Sequence, residues 1–377
     1  MHNVISLLEQ LVAIDSVNPE LVAGGAGEAA IAHFIADWLR AAGLEVIVDE
    51  VRPGRPNVIG LARGTGGGRT LMLNGHTDTV GVAGMTAPHR PQIANGRMYG
   101  RGAYDMKAGL AACMVAAAEA KQRNLAGDVL ITAVMDEEFG GKGTIAVAEK
   151  YRADAAIIAE PTELQLVIAH RGSLWLEIET HGKAAHGSMP HLGVDAIAKM
   201  GRVLVEIEKL GERLLANPTH PLLKSGSLHA SLITGGQELS SYPQSCVLSI
   251  ERRTIPGETP ESCSAEFQQI LDRIAADDPA FRASLRPGFF LPPMETSADS
   301  PIARLIMQQC SAVVGQPPAI VGVPYWTDAA SLAQAGIPAL LFGPSGTGAH
   351  AVEEWVDIKS VEQCVQIFLQ TAVEFCK

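Results

Sequence analysis

Apolar positions along the chain fall into two textures, short uninterrupted runs and stretches with helical spacing. The spacing predicts helices over residues 4–12 and 26–42, the second closing at Ala42-Gly43, and then a strand over 44–51. Apolar runs at 57–62 and 70–73 read as strands, and Gly64-Thr65-Gly66-Gly67-Gly68 between them reads as a hairpin connection. That turn lacks the Gly-Lys-Ser/Thr ending that a Walker phosphate loop needs. An Ala-rich helix is predicted over 108–122, with further strands over 128–135 and 155–159.

From Ser173 the pattern changes to period-two alternation over 174–180, followed by a helix over 194–214, strands over 228–233 and 246–253, a helix over 260–276 and a strand over 281–285. Strand-helix-strand-strand-helix-strand is the ferredoxin-like order. Beyond Pro293 the first texture returns, with a helix over 301–314, an Ala-rich helix after Asp328, a strand over 339–343 and a helix over 361–374. The expectation is an α/β domain from residues 1–172 and 287–377, with an α+β domain of residues 173–286 inserted in it. A length of 377 residues agrees, because it exceeds what one core usually supports.

Composition narrows the classes. With 47% hydrophobic residues, 19% charged residues and 38 glycines, the chain suits a compact α/β enzyme rather than a disordered one. A net charge of -12 argues against a nucleic-acid groove, which would need a basic face. The six cysteines show no C-x-x-C spacing and read as reduced thiols. Residues 1–16 carry Glu9 and lack the features of a secretory signal, and no stretch reaches about 18 uninterrupted apolar residues. The expected setting is the cytoplasm, with neither a membrane nor a nucleic acid as partner.

Candidate chemistry sits where the predicted strands end. The run Leu71-Met72-Leu73-Asn74-Gly75 ends in His76-Thr77-Asp78, and residues two apart on a strand share a face. His76 could hold a metal with Asp78 orienting its imidazole, or the segment is an ordinary turn with a hydrogen-bonded histidine. Asp105, in Gly100-Arg101-Gly102-Ala103-Tyr104-Asp105-Met106-Lys107, sits at a helix start, either as an N-cap or as a carboxylate shared by two metals. The strand over 128–135 ends in Asp136-Glu137-Glu138, which is a solvated turn or a catalytic rim. Glu160 ends the next strand, and His350 follows the late one.

Together these blocks resemble the dinuclear zinc peptidases and deacylases that include acetylornithine deacetylase, succinyl-diaminopimelate desuccinylase, aminoacylase and the glutamate-releasing carboxypeptidase. The resemblance covers essentially the whole chain. It implies a catalytic domain with a mixed sheet flanked by helices and an inserted ferredoxin-like lid and dimerisation domain. It also implies two Zn2+ per subunit, with cobalt or manganese as alternatives. His76 and Glu160 would hold one ion, Glu138 and His350 the other, and Asp105 both, together with a bridging water. Glu137 resembles the general base, Arg253 the arginine that holds the substrate carboxylate, and His186 the lid histidine that binds the carbonyl oxygen. His186 could instead merely cap the loop before the helix over 194–214.

Ser240-Ser241-Tyr242-Pro243 departs from a frequent Asn-x-x-Pro, which leaves Ser240 at a substrate-facing position. That version looks most like acetylornithine deacetylase-like members. The implied activity is hydrolysis of an N-acyl-L-amino acid by a homodimer. The alternatives are a di-zinc dipeptidase or carboxypeptidase, a succinyl-diaminopimelate desuccinylase-like enzyme, and a catalytically silent metal-binding protein on the same fold.

Overall fold

The computed structural model describes residues 2–377, which divide into two compact units. The first comprises Met1–Ile168, Thr296–Val321 and Thr327–Lys377; the second comprises Ala169–Glu295 and Gly322–Trp326.

In the first unit the strands hydrogen-bond in the order Glu45–Arg52, Arg55–Ala62, Val129–Val134, Leu71–His76, Ala155–Ile158, Ala339–Leu341 and Leu166–His170, the last running on into the second unit. The central three, Val129–Val134, Leu71–His76 and Ala155–Ile158, are buried at every position. Helices covering both faces remove the need for polar alternation, which is why their sequences read as plain apolar runs. These three run parallel, so their carboxyl ends emerge at one edge of the sheet. Each is followed there by a candidate residue.

Two expectations need correction. The glycine-rich turn at 64–68 does not join a hairpin, because Val129–Val134 lies between Arg55–Ala62 and Leu71–His76. Two apolar runs close in sequence need not pair when a third strand supplies a better-matched edge for each. The turn itself is held by Thr65 N–H and Gly66 N–H donating to the carbonyls of Leu125 and Ala126. The helix expected over 26–42 is Ala29–Ala41. It starts late because Gly27 takes a positive φ of 68° and Glu28 turns its carboxylate to Arg55.

The second unit carries a four-stranded antiparallel sheet in the order Ser227–Gly235, Ser245–Thr254, Gly172–His181 and Ala283–Leu291. Helices Ala196–Ala216 and Pro260–Asp277 cover one face, giving the ferredoxin-like arrangement. Alternation along Ser245–Thr254 turns Cys246, Leu248, Ile250 and Arg252 into the core side, where Met200, Val203, Phe267 and Ile270 are also buried. Arg253 consequently lies on the open face. The last strand begins two residues later than expected, because Phe281 is buried in the core before it.

Back in the first unit, helix Lys107–Lys121 is buried almost all round and passes against the strand ends. Its closest approach is at Gly109, where a Cβ would stand 1.8 Å from the Ala159 carbonyl oxygen, one residue before Glu160. Gly109→Ala is therefore expected to destabilise the protein. The gain in helix propensity, about 1 kcal/mol, is outweighed by an overpacking cost of about 1–3 kcal/mol against rigid backbone. A denaturant melt checks this: equal or greater stability in the variant would contradict the close approach.

Candidate active site

The structure gathers His76, Asp78, Asp105, Glu137, Glu138, Glu160 and His350 at that edge of the first unit. His76 Nδ1 lies 2.9 Å from the Asp78 carbonyl oxygen and 3.5 Å from its carboxylate. A carbonyl oxygen can only accept, so Nδ1 carries a proton towards it and Nε2 is directed outward. That Nε2 stands 3.2 Å from Asp105 and 3.7 Å from Glu160. His350 approaches from the other side, its Nε2 2.9 Å from Glu138 and 3.4 Å from Asp105. Asp105 thus faces both imidazoles, one carboxylate oxygen to each. It does not act as an N-cap: Met106 holds that position, and no side chain caps the helix.

The orienting role expected of Asp78 takes a more specific form. Its main-chain carbonyl makes the short contact to His76, while its carboxylate accepts from Glu137 N–H and Glu138 N–H, each at 3.2 Å, and from Asn18 Nδ2 at 2.8 Å. Asn18 also donates to Asp136 at 3.2 Å, and Arg55 joins Asp136 to Glu28. Asp136 takes a positive φ of 68°, which turns the chain so that Glu137 and Glu138 project into the cluster. Asp136 belongs to the Asp136-Glu137-Glu138 block, but Asn18, Arg55 and Glu354 were not singled out from the sequence. Their types are common and follow no motif spacing, so nothing but long-range contact gives them away.

The electrostatics describe a cluster that draws positive charge. Burial, with Glu160 next, pushes Glu137 well above the usual carboxylate range; burial likewise raises Glu160, and burial with Asp105 raises Glu138. Hydrogen bonds donated to Asp105 and Glu138 lift His350 to about 10. Burial works against a charged His76, yet Asp105, Asp78 and Glu160 still hold it well above its ordinary value. For Asp105, burial is outweighed by the two imidazoles, which keep it low. Buried Asp328 is pushed up to about 7, chiefly by burial, although Thr144 donates to it at 2.7 Å.

This donor set fits divalent metal ions. Candidate ligand atoms of His76, Glu137 and Glu160 lie within 4.8 Å of one another, as do those of His76, Asp105 and Glu138. Two divalent cations would balance the formal charge of Asp105, Glu137, Glu138 and Glu160. Mixed imidazole and carboxylate donors without thiolate suit zinc.

In the second unit, the loops carrying His186 and Ser240 are joined. Gly187 N–H donates to the Ser240 carbonyl at 2.7 Å, and Tyr242 N–H to that of Ala185 at 2.9 Å. His186 Nδ1 lies 2.7 Å from Ser188 Oγ, while Ser240 Oγ donates to Glu238 at 2.6 Å. The helix that follows has its own N-cap, Asp195. Arg253 reaches Glu251 at 3.0 Å, and buried Arg252 pairs with Glu258 on the opposite face.

The pattern of peptidase family M20/M25/M40 matches residues 72–374. The chain belongs to this family. It is a metallohydrolase of linear amides, as the family's members are, with imidazole and carboxylate groups that could hold two metal ions. It is 30% identical to an acetylornithine deacetylase of Myxococcus xanthus over 90% of both chains. It is 28% identical to N-formyl-4-amino-5-aminomethyl-2-methylpyrimidine deformylase of Bacillus subtilis, over 92% of this chain and 89% of that one. Its fold is similar to that of aminopeptidase PepT from Bacillus cereus, with a TM-score of 0.81 and 18% identity over 99% of this chain and 98% of that one. No helix among the described residues is long and apolar enough to cross a membrane.

Proposed function

We propose that this M20 enzyme hydrolyses the amide of an N-acyl-amino acid, with deacylation of an acetylornithine-like substrate as the leading case. The observation that carries the reading is Asp105 facing both His76 and His350 in a buried carboxylate cluster. The names of the Myxococcus and Bacillus relatives support acyl removal from an amine, as acetyl in one and formyl in the other. His76 and Glu160 would hold one zinc, Glu138 and His350 the other, and Asp105 both. When bound, such a pair polarises the scissile carbonyl and supplies water of lowered pKa.

The chain's own groups do the rest. Glu137 takes a proton from the attacking water on a carboxylate oxygen and delivers it to the leaving nitrogen. Asp78 keeps Glu137 and Glu138 in place through their N–H groups and orients His76 through its carbonyl. Arg253 binds the substrate carboxylate as a bidentate fork, in competition with Glu251. His186 donates to the carbonyl oxygen as it becomes negative, and Ser240 lines the same joined loops.

A homodimer through the second unit completes the proposal. The supporting feature is the edge strand Ser227–Gly235, where Leu232 is 71% and Ile233 53% exposed. Location in the cytoplasm is part of the same reading, motivated by six cysteines without a disulfide framework; fractionation of the host cell tests it.

Mass-spectrometric screening of zinc-loaded enzyme against N-acetyl, N-formyl and N-succinyl amino acids and dipeptides tests the substrate class. Activity confined to dipeptides would sink the deacylase reading. Glu137→Ala is expected to keep both metals and lose turnover by roughly 10²- to 10⁴-fold. Metal analysis that found a zinc lost in step with activity would make Glu137 a ligand instead. Arg253→Ala should lower catalytic efficiency about ten- to a hundredfold for free acids. An equal loss for the matching carboxamides would contradict its role. If His186 serves the partner's site, mixing His186→Ala and Glu137→Ala subunits should restore part of the activity. Verified subunit exchange without recovery would rule out action across the dimer.

A further inference from the structure

Glu354 is a buried carboxylate, 1% exposed, that belongs to the same loop as His350. One of its oxygens accepts from Arg101 Nη1 at 2.6 Å and Gly102 N–H at 3.0 Å. The other accepts from Tyr104 N–H at 2.9 Å and from the N–H of Asp105 itself at 3.0 Å. Arg101 doubles the tie, donating through Nη2 to the Ala351 carbonyl at 2.9 Å. Directly after Glu354, strand Trp355–Asp357 pairs antiparallel with Arg97–Tyr99, so the two segments are zipped up to the site. Backbone N–H groups converging on one anion form a stiff cradle, and here a side chain of the facing loop supplies the anion.

We propose that Glu354 is a positioning residue that sets the placement of Asp105 relative to His350, and thereby builds one of the two metal positions. It touches neither substrate nor reacting atoms. It acts by fixing the loop of residues 100–106 to the His350 loop, adding to the strand pair, the Arg101–Ala351 bond and the bond from Gly100 N–H to the Glu354 carbonyl that also join them. The inference rests on the proposed assignment of Asp105 and His350 as ligands. Asp105 serves both positions, so both feel the loss of this tie; the one formed with Glu138 and His350 depends on it twice, through Asp105 and through the His350 loop, whereas His76 and Glu160 extend from central strands.

The test is a metal titration with a competing chelator on wild-type enzyme, Glu354→Gln, Glu354→Ala and Ile35→Ala. The last variant truncates the fully buried Ile35 of helix Ala29–Ala41 and lowers general stability away from the cluster. Gln keeps the shape of Glu but turns one acceptor into a donor, which must then face N–H groups on one side of the cradle. Both Glu354 variants are expected to bind both metals more weakly but unequally, the one shared with His350 by about 10- to 100-fold, the usual cost of losing a ligand's supporting contact, and the other by less. Ile35→Ala should melt earlier yet release both metals as wild type does. Two metals held with wild-type affinity in Glu354→Gln would overturn the inference, as would an Ile35→Ala variant showing the same unequal loss. A wild-type protein that binds fewer than two metals would overturn the ligand assignment as well as this inference, which separates the two failures.

Discussion

Carboxylates buried against one another raise each other's energy, and the sheet edge in this protein brings several of them into contact. Asp105, Glu137, Glu138 and Glu160 are buried or half-buried, where water screens them poorly, and positive or proton-bearing groups are held close to them. A hydrophobic enzyme core of ordinary Val, Ile and Leu strands tolerates this only because the acidic side chains are confined to one edge. There, parallel strands release their ends together. The fold is therefore organised so that apolar packing stops where charge begins.

The same solution for holding acidic groups still occurs twice. Asp78 accepts the N–H groups of Glu137 and Glu138, and Glu354 accepts those of Gly102, Tyr104 and Asp105. In both cases a buried carboxylate, not itself at the centre of the cluster, anchors the backbone that presents a candidate ligand. Backbone anchoring suits this purpose better than side-chain contacts alone, because it fixes where a residue starts as well as where its tip points. The Asp78 anchor is supported in turn by Asn18, which it shares with Asp136, and by Arg55 behind.

Much of this was legible in the sequence. Strands buried on both faces announce themselves as unbroken apolar runs, and the α+β unit shows clear alternation because one of its sheet faces is open. His76, Glu138, Glu160 and His350 stood out because they follow such runs, and Asp105 because it opens the Ala-rich helix, all in blocks that resemble a known family. Strand order did not show, since insertion of Val129–Val134 between two runs close in sequence is decided by packing far along the chain. Nor did Asn18 or Glu354: an asparagine before a proline and a glutamate in an acidic pair look like turn chemistry. Asn18 lies 60 residues from Asp78 and Glu354 lies 249 from Asp105, distances over which no local pattern operates. The start of helix Ala29–Ala41 was missed for a related reason, as Glu28 serves a distant arginine rather than the helix.

The span between Glu354 and the loop it anchors also orders events during synthesis. A ribosome has made residues 100–106 long before residue 354 exists, so for most of translation the segment bearing Asp105 lacks the group that holds its N–H donors. The early strands can pair meanwhile, but helix Lys107–Lys121 also packs against the C-terminal helix Ile358–Phe375 and completes its packing only when that helix is made. The proposed metal position at His350 is complete only once the final stretch has emerged and Trp355–Asp357 has paired with Arg97–Tyr99. On the proposed ligand assignment, the site is finished only when the chain is almost entirely made.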